Sequence, residues 1–539
     1  MKTKNRYITA ILLTSFFVVG AFVGYYMSVK SLSQYSHQQF IIGRNGQSKI
    51  DKIVNIIKNK YVDEINTDSI VESIIPSLLS DLDPHSVYIS AENMKSVNED
   101  MRGDFGGIGI QFNLFEDTIM VVGVVEDGPS EKSGLVWGDR IVSVNDSLVA
   151  GVNMNSDSIM MLLRGEIGTK VKLGIKSRNT NSIREVEVTR GIIPISSIDA
   201  SYFINDTIGY IKINRFSEVT DKEFARDVAR LIQDGMKSLI VDLRENPGGS
   251  LYSVINTLDL FLEKDKMILF TEGAHQEKEI ARASTTGIFK DLSVNVIISS
   301  NSASASEIFA GAIQDNDIGY VIGQRSFGKG LVQTQVPLAD GSAFRITTAR
   351  YYIPSGRCIQ KPYEQGRNEY TLDILHRYEH GELTNIDSIS IDSSQLFYTS
   401  KGRKVYGGGG IMPDFFVPID TNGRNRLLDS ALNDVKIYKY ALKYVDDNLE
   451  AIKNTCTDKN IIEYLENKKV LLDFLNSLKS SSYTPSVADI KESGDLIKNY
   501  LYAYITRESI GEVAFYKTLY RKDDSLKKAL EIALKGIKP

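Results

Sequence analysis

Cysteine is scarce in this chain: 539 residues carry only Cys358 and Cys456. Two thiols exclude a disulfide framework and allow at most a single bridge, and two free thiols fit as well. Histidine is scarce too, and His85, His275, His376 and His380 fall in no metal spacing such as H-E-x-x-H. The residues therefore imply no metal and no cofactor. The G-x-S-x-G elbow of the α/β-hydrolases is also absent. There is no basic excess, since the formal net charge is -5, which argues against nucleic acid as the main partner. What is present is an ordinary globular composition, 42% hydrophobic and 24% charged. The length is too great for one core and implies about two to four domains.

One long apolar run stands out. Lys2, Lys4 and Arg6 precede an uncharged stretch from Tyr7 to Val29, long enough to reach the roughly 20 residues that cross a bilayer. The flanking charges place the N-terminus in the cytoplasm and the body outside. A cleaved signal peptide is the rival reading. The run exceeds an h-region, and Gly24-Tyr25-Tyr26-Met27 offers no clear small-x-small cleavage site. An uncleaved anchor over residues 1–29 is therefore favoured, and either reading exports the body. An inner-membrane anchor with a periplasmic body follows. Residues 30–96 read as a polar tether and an N-terminal helical region, with Ile50, Ile53, Ile56, Ile57 and Tyr61, then Ile70, Ile74, Ile75 and Leu78, at helical spacing.

Residues 97–190 change character. Phe105-Gly106-Gly107-Ile108-Gly109-Ile110-Gln111-Phe112 is a glycine turn entering an alternating strand, and Val121 to Val125 predicts a second strand. Gly128-Pro129-Ser130, a short helix ending at Gly134, and Gly138-Asp139-Arg140-Ile141-Val142-Ser143-Val144-Asn145 follow. The segment resembles a bacterial PDZ domain. Such domains add a peptide strand to a sheet edge and hold its C-terminal carboxylate on backbone N–H groups. The resemblance implies that Gly107, Ile108, Gly109 and Ile110 form that carboxylate loop, with Ile108, Ile110 and Phe112 as an apolar pocket.

Residues 191–423 alternate strands and helices. Ile208 to Ile213 predicts a strand, and Thr220 to Asp234 a helix opened by a capping box Thr220-x-x-Glu223. Ser238 to Leu243 predicts a buried strand of the continuous apolar kind seen in parallel sheets, and Val294 to Ser300 predicts another buried strand. Leu251 to Leu262 and Ser304 to Gln314 predict helices, and Met267 to Phe270 and Gly319 to Ile322 predict strands. Val332 to Pro337 and Phe344 to Tyr351 predict a hairpin turning at Asp340-Gly341. Residues 424–539 are charged and helical in pattern, with no recognisable chemistry.

Three stretches carry chemistry. Ser302-Ala303-Ser304-Ala305-Ser306-Glu307 lies where a buried strand gives way to a helix. A serine there is exposed by the turn and meets the positive helix N-terminus. The local sequence equally describes a capping box, and it does not choose among Ser302, Ser304 and Ser306. Ser326-Phe327-Gly328-Lys329-Gly330 offers a lysine, which acts as a base only when burial or a neighbouring cation lowers its pKa. Asn246-Pro247-Gly248-Gly249 is a glycine turn directly after a strand, a common ligand site in α/β proteins. Together they are the parts of a Ser-Lys hydrolase.

In this order, with the PDZ-like segment ahead of D-L-R-x-N-P-G-G, S-A-S-A-S-E and F-G-K-G-x-V-Q, the chain resembles the C-terminal processing peptidases, or tail-specific proteases, over roughly residues 45–420. The resemblance implies an α/β multidomain protein: a ββα-repeat core of the crotonase and ClpP kind, an inserted PDZ domain and helical terminal regions. It implies Ser304 as nucleophile, Lys329 as general base and Gln333 as the residue that positions the lysine. Oxyanion donors would be the N–H groups of Ala305 and of Gly249, with Gly248 as the alternative. Asp315 falls where some members have a supporting acid. Implied partners are protein or peptide substrates with free C-termini, the membrane, and a homo-oligomer or regulatory adaptor. A catalytically inactive PDZ scaffold and a crotonase-type acyl-transfer enzyme are the competing readings. Intact Ser304 and Lys329 count against the first, and the PDZ-like and apolar segments against the second.

Overall fold

A computed structural model describes residues 48–178, 182–479, 484–537 and 539. The apolar run at 1–29 and most of the polar tether lie outside the described residues. Among the described residues no helix is long and apolar enough to cross a membrane. The chain divides into two compact units, Met1–Ile75 and Pro76–Pro539. In the first, helix Lys49–Lys60 begins at Ser48, whose hydroxyl accepts from the Asp51 N–H while Asp51 returns the bond.

The second unit is built around a six-stranded sheet. Its order is Ile198–Phe203, Ile208–Ile213, Ser238–Asp242, Ser293–Ile298, Gly319–Gly323 and Phe415–Phe416. The first pair is antiparallel and the rest are parallel. The strands are apolar on both faces because both are covered. Ile211, Ile213, Leu239, Val241, Val294 and Val296 pack under helices Thr220–Gln233, Leu251–Asp259 and Ala305–Asp315. Ile208, Tyr210, Ile240, Ile297 and Ile322 face the opposite side, where Leu526, Ala529 and Ile532 of helix Asp524–Leu534 cover them. A second, antiparallel sheet contains the predicted hairpin, Leu331–Pro337 with Ala343–Tyr352, plus Val87–Ile89, Met267–Gly273 and Gln276–Arg282.

The capping box at Thr220 does not form. Val219 holds the cap position, and Thr220 Oγ1 instead accepts from the Ser217 N–H and bonds Ser197. The Glu223 carboxylate accepts from the Ser197 N–H at 2.8 Å. Tertiary partners took both side chains that the local pattern assigned to each other.

Residues 104–194 form a separate β domain. Its main sheet runs Ile110–Phe115, Thr118–Val124, Arg140–Val144, Lys170–Lys176, Ile183–Thr189, with Ile110–Phe115 as an edge strand beside helix Ser156–Leu163 in the same core. Five C-terminal helices between Arg426 and Ser509 share a further core. They also hold the β domain: Arg140 pairs with Asp446 at 2.5 Å, Asn113 with Tyr438, and Trp137 packs against their core. Cys358 and Cys456 are free.

The Asp242-Leu243-Arg244 motif is structural. Asp242 is fully buried and accepts from Arg244 and from Tyr210 Oη at 2.8 Å, with Lys212 at 3.6 Å. Burial pushes its pKa up, but Arg244 and Lys212 outweigh that and hold it below the usual carboxylate range. Arg244 reaches on to Asp523, the N-cap of helix Asp524–Leu534, at 2.7 Å. Asp242→Asn leaves buried Lys212 without its anion and Arg244 with Asp523 alone, so chemical denaturation should show a loss of about 3–5 kcal/mol. Unchanged stability would exclude this network as a structural anchor.

Candidate active site

Strand Ser293–Ile298 delivers the chain to a turn, and helix Ala305–Asp315 leaves it with every residue buried. Ser304 stands at that junction with φ 55° and ψ -115°. A positive φ in a non-glycine residue costs on the order of 1–3 kcal/mol and persists only where the surroundings enforce it. The three serines separate cleanly. Ser302 Oγ donates to the Leu243 carbonyl at 2.8 Å, and Ser306 Oγ to the Asn246 carbonyl at 3.0 Å, both fully buried. Ser304 is half-buried and opens onto a cavity of about 680 Å³.

Lys329, Gln333, Gly248, Gly249 and Ala305 line the same cavity. Burial lowers the Lys329 pKa below the usual 10.5, and the Arg345 cation, also lining the cavity, lowers it further. Among the described residues no hydrogen bond joins Lys329 Nζ to Ser304. Among the described residues no hydrogen bond joins Gln333 to Lys329, and the Gln333 amide donates to Thr347 Oγ1 at 3.5 Å.

The glycine turn distinguishes its two candidate donors. The Gly248 N–H donates to Asn246 Oδ1 at 2.9 Å and is occupied. Among the described residues no hydrogen bond uses the N–H of Gly249 or of Ala305. Gly249 has φ +140°, and a Cβ there would fall 2.0 Å from the Phe216 carbonyl oxygen, so only glycine fits. Asn246 locks this turn to the nucleophile turn: its amide donates to the Ile213 carbonyl and its own carbonyl accepts from the Ala303 N–H, each at 3.0 Å. Sequence reasoning passed over Asn246, although its place in the N-P-G-G stretch was the available signal.

Asp315 is not part of this cavity. It is fully buried against Arg357 at 2.8 Å and accepts from the Ser355 N–H, a structural ion pair. Arg164 caps helix Ser156–Leu163, pairs with Glu99 at 3.3 Å and lies 4.1 Å over the Phe105 ring. In the β domain, the Ile108 side chain enters the core at 2% exposure and forms no pocket wall. Ile110 and Phe112 remain partly accessible on the edge strand. Among the described residues the N–H groups of Ile108 and Gly109 make no hydrogen bond, which leaves them available to a carboxylate.

A serine peptidase core preceded by a peptide-binding β domain is the class that this fold and cavity define, and comparison with known proteins agrees. Residues 207–366 match peptidase family S41, residues 106–188 the PDZ domain family, and residues 18–93 the activating protease CtpB N-terminal domain family. Residues 428–511 match a family of unknown function. The chain is 33% identical over 353 residues to a carboxy-terminal-processing protease of Bartonella bacilliformis, covering 64% of this chain and 79% of that one. It is 34% identical over 316 residues to carboxy-terminal processing protease CtpB of Bacillus subtilis, covering 59% and 65%. It is 28% identical over 479 residues to a probable CtpA-like serine protease of Staphylococcus haemolyticus, covering 87% and 91%. The chain belongs to the carboxy-terminal processing proteases of peptidase family S41 and is a serine-type peptidase.

Proposed function

We propose an exported, membrane-anchored endopeptidase that captures the free C-terminus of a protein on its PDZ domain and cleaves by a Ser304–Lys329 dyad. The observation that carries this reading is Ser304 itself: a strained, half-buried serine at a helix start, sharing a cavity with a lysine of lowered pKa. Neutral Lys329 takes the Ser304 proton as Oγ attacks the peptide carbonyl, and the N–H groups of Ala305 and Gly249 hold the oxyanion. Lys329 then returns the proton to the leaving amine, and water hydrolyses the acyl-enzyme. The substrate carboxylate sits on the N–H groups of the Gly107–Ile110 loop while its strand extends along Ile110–Phe115.

The arrangement fits a resting enzyme. Gln333 and Arg164 are both engaged elsewhere. Peptide capture would free Arg164 from Glu99 and Phe105 and turn Gln333 toward Lys329, which requires two states of different peptide affinity. The export, the anchor, and a homo-oligomer or adaptor that favours the active state belong to the same reading.

The test pairs two measurements on the chain. A fluorophosphonate should label Ser304, found by peptide mapping, and not Ser302 or Ser306. Calorimetry should show tighter binding of a peptide with a free apolar C-terminus than of its amide. Labelling elsewhere would remove the nucleophile assignment, and equal affinities would remove carboxylate capture.

A further inference from the structure

Glu307 is fully buried in the first turn of helix Ala305–Asp315, and the dyad chemistry makes no use of it. A helix cap asks it for one hydrogen bond, to the Ser304 N–H, and that bond is present at 2.9 Å on Oε2. Its carboxylate does three further things. Oε2 also accepts from the Lys329 N–H at 2.8 Å. Oε1 accepts from the Gly328 N–H at 2.7 Å and from the Ser326 hydroxyl. One side chain therefore binds the main chain of both the nucleophile and the base.

The carbonyl side of the same two residues is also bound by one group. The buried Tyr351 hydroxyl shares its proton between the Ser304 carbonyl, at 3.2 Å, and the Lys329 carbonyl. Ser304 and Lys329 come from different elements, a helix start and the loop leading to strand Leu331–Pro337. Nothing in the covalent chain fixes their separation. Glu307 holds their N–H groups together, and Tyr351 holds their C=O groups together.

We propose that Glu307 and Tyr351 form a two-sided clamp that registers the main chain of Ser304 against that of Lys329, and that both act as positioning residues for the dyad. This inference rests on the Ser304–Lys329 reading. The chemistry of the clamp is specific. Three of the four donors at Glu307 are main-chain N–H groups, which cannot reverse. A glutamine would set its own NH2 against at least one of them in either orientation. Burial pushes the Glu307 pKa up to about 7 while its four donors favour the carboxylate form, and a misplacement of about 1 Å between reacting groups costs on the order of 100-fold in rate.

The test uses Tyr351→Phe, which removes one hydroxyl and keeps the ring packing, together with Glu307→Gln, the double variant and Lys329→Ala. Steady-state kinetics on a peptide substrate should show kcat lowered about 10-fold by Tyr351→Phe and about 100-fold or more by Glu307→Gln. KM should stay within about twofold, and the double variant should lose less than the product of the single losses, because the two residues hold one geometry. A loss carried by KM, or single losses that multiply independently, would overturn the clamp. Should Glu307→Gln not fold, Tyr351→Phe decides alone by the kcat and KM split. The two claims separate cleanly. Normal turnover by Lys329→Ala removes the dyad, whereas an inactive Lys329→Ala beside a fully active Tyr351→Phe removes only the clamp.

Discussion

Ser304→Ala and Lys329→Ala should each lower kcat by about 10⁴ to 10⁶, because members of one catalytic unit are lost together. Both variants should keep the far-UV spectrum and peptide affinity of the parent, since both side chains line an open cavity rather than the hydrophobic core. The pH profile is the companion measurement. Lys329 works only when neutral, so kcat/KM should rise with pH through its pKa. Burial and then Arg345 set that pKa below 10.5, while the carboxylates of Glu307 and Asp83 oppose them. His85 also faces Lys329, and its own pKa is lowered to about 4, by burial first, so it stays neutral across the working range. Arg345→Gln removes the cation and should move the acid limb to higher pH. A profile that stays in place, or near-normal turnover by either alanine variant, contradicts this mechanism.

Gly249→Ala should abolish most activity by a different route. The added methyl meets the Phe216 carbonyl oxygen at 2.0 Å, and φ +140° is open only to glycine. The turn must shift, and its N–H moves off the oxyanion. Loss of one such donor costs about 10² to 10³ in kcat. The PDZ domain is built from other residues, so peptide affinity should be retained and the loss should appear in kcat. A Gly249→Ala enzyme with parental kcat would eliminate this N–H as an oxyanion donor.

The strands of the core were legible because a sheet covered on both faces needs largely apolar runs, such as Leu239-Ile240-Val241 and Val296-Ile297-Ile298. The hairpin was legible from Asp340-Gly341. Strand Gln276–Arg282 was not, because it is mostly exposed and polar on both faces. The candidate site was legible as three glycine- and serine-rich stretches, but the choice among serines was not. That choice depends on which hydroxyls the Leu243 and Asn246 carbonyls consume, and those carbonyls lie far away in the chain. Glu307 read as a helix cap for the same reason, since three of its four donors come from residues 326–329.

The ion pair between Arg244 and Asp523 joins residues 279 positions apart. Closing a loop of that length costs about 3 kcal/mol more than closing one of ten residues. Arg244 sits one residue before the Glu245-Asn246-Pro247 bend, so the turn that carries Gly248 and Gly249 gains this outer support only where helix Asp524–Leu534 is docked.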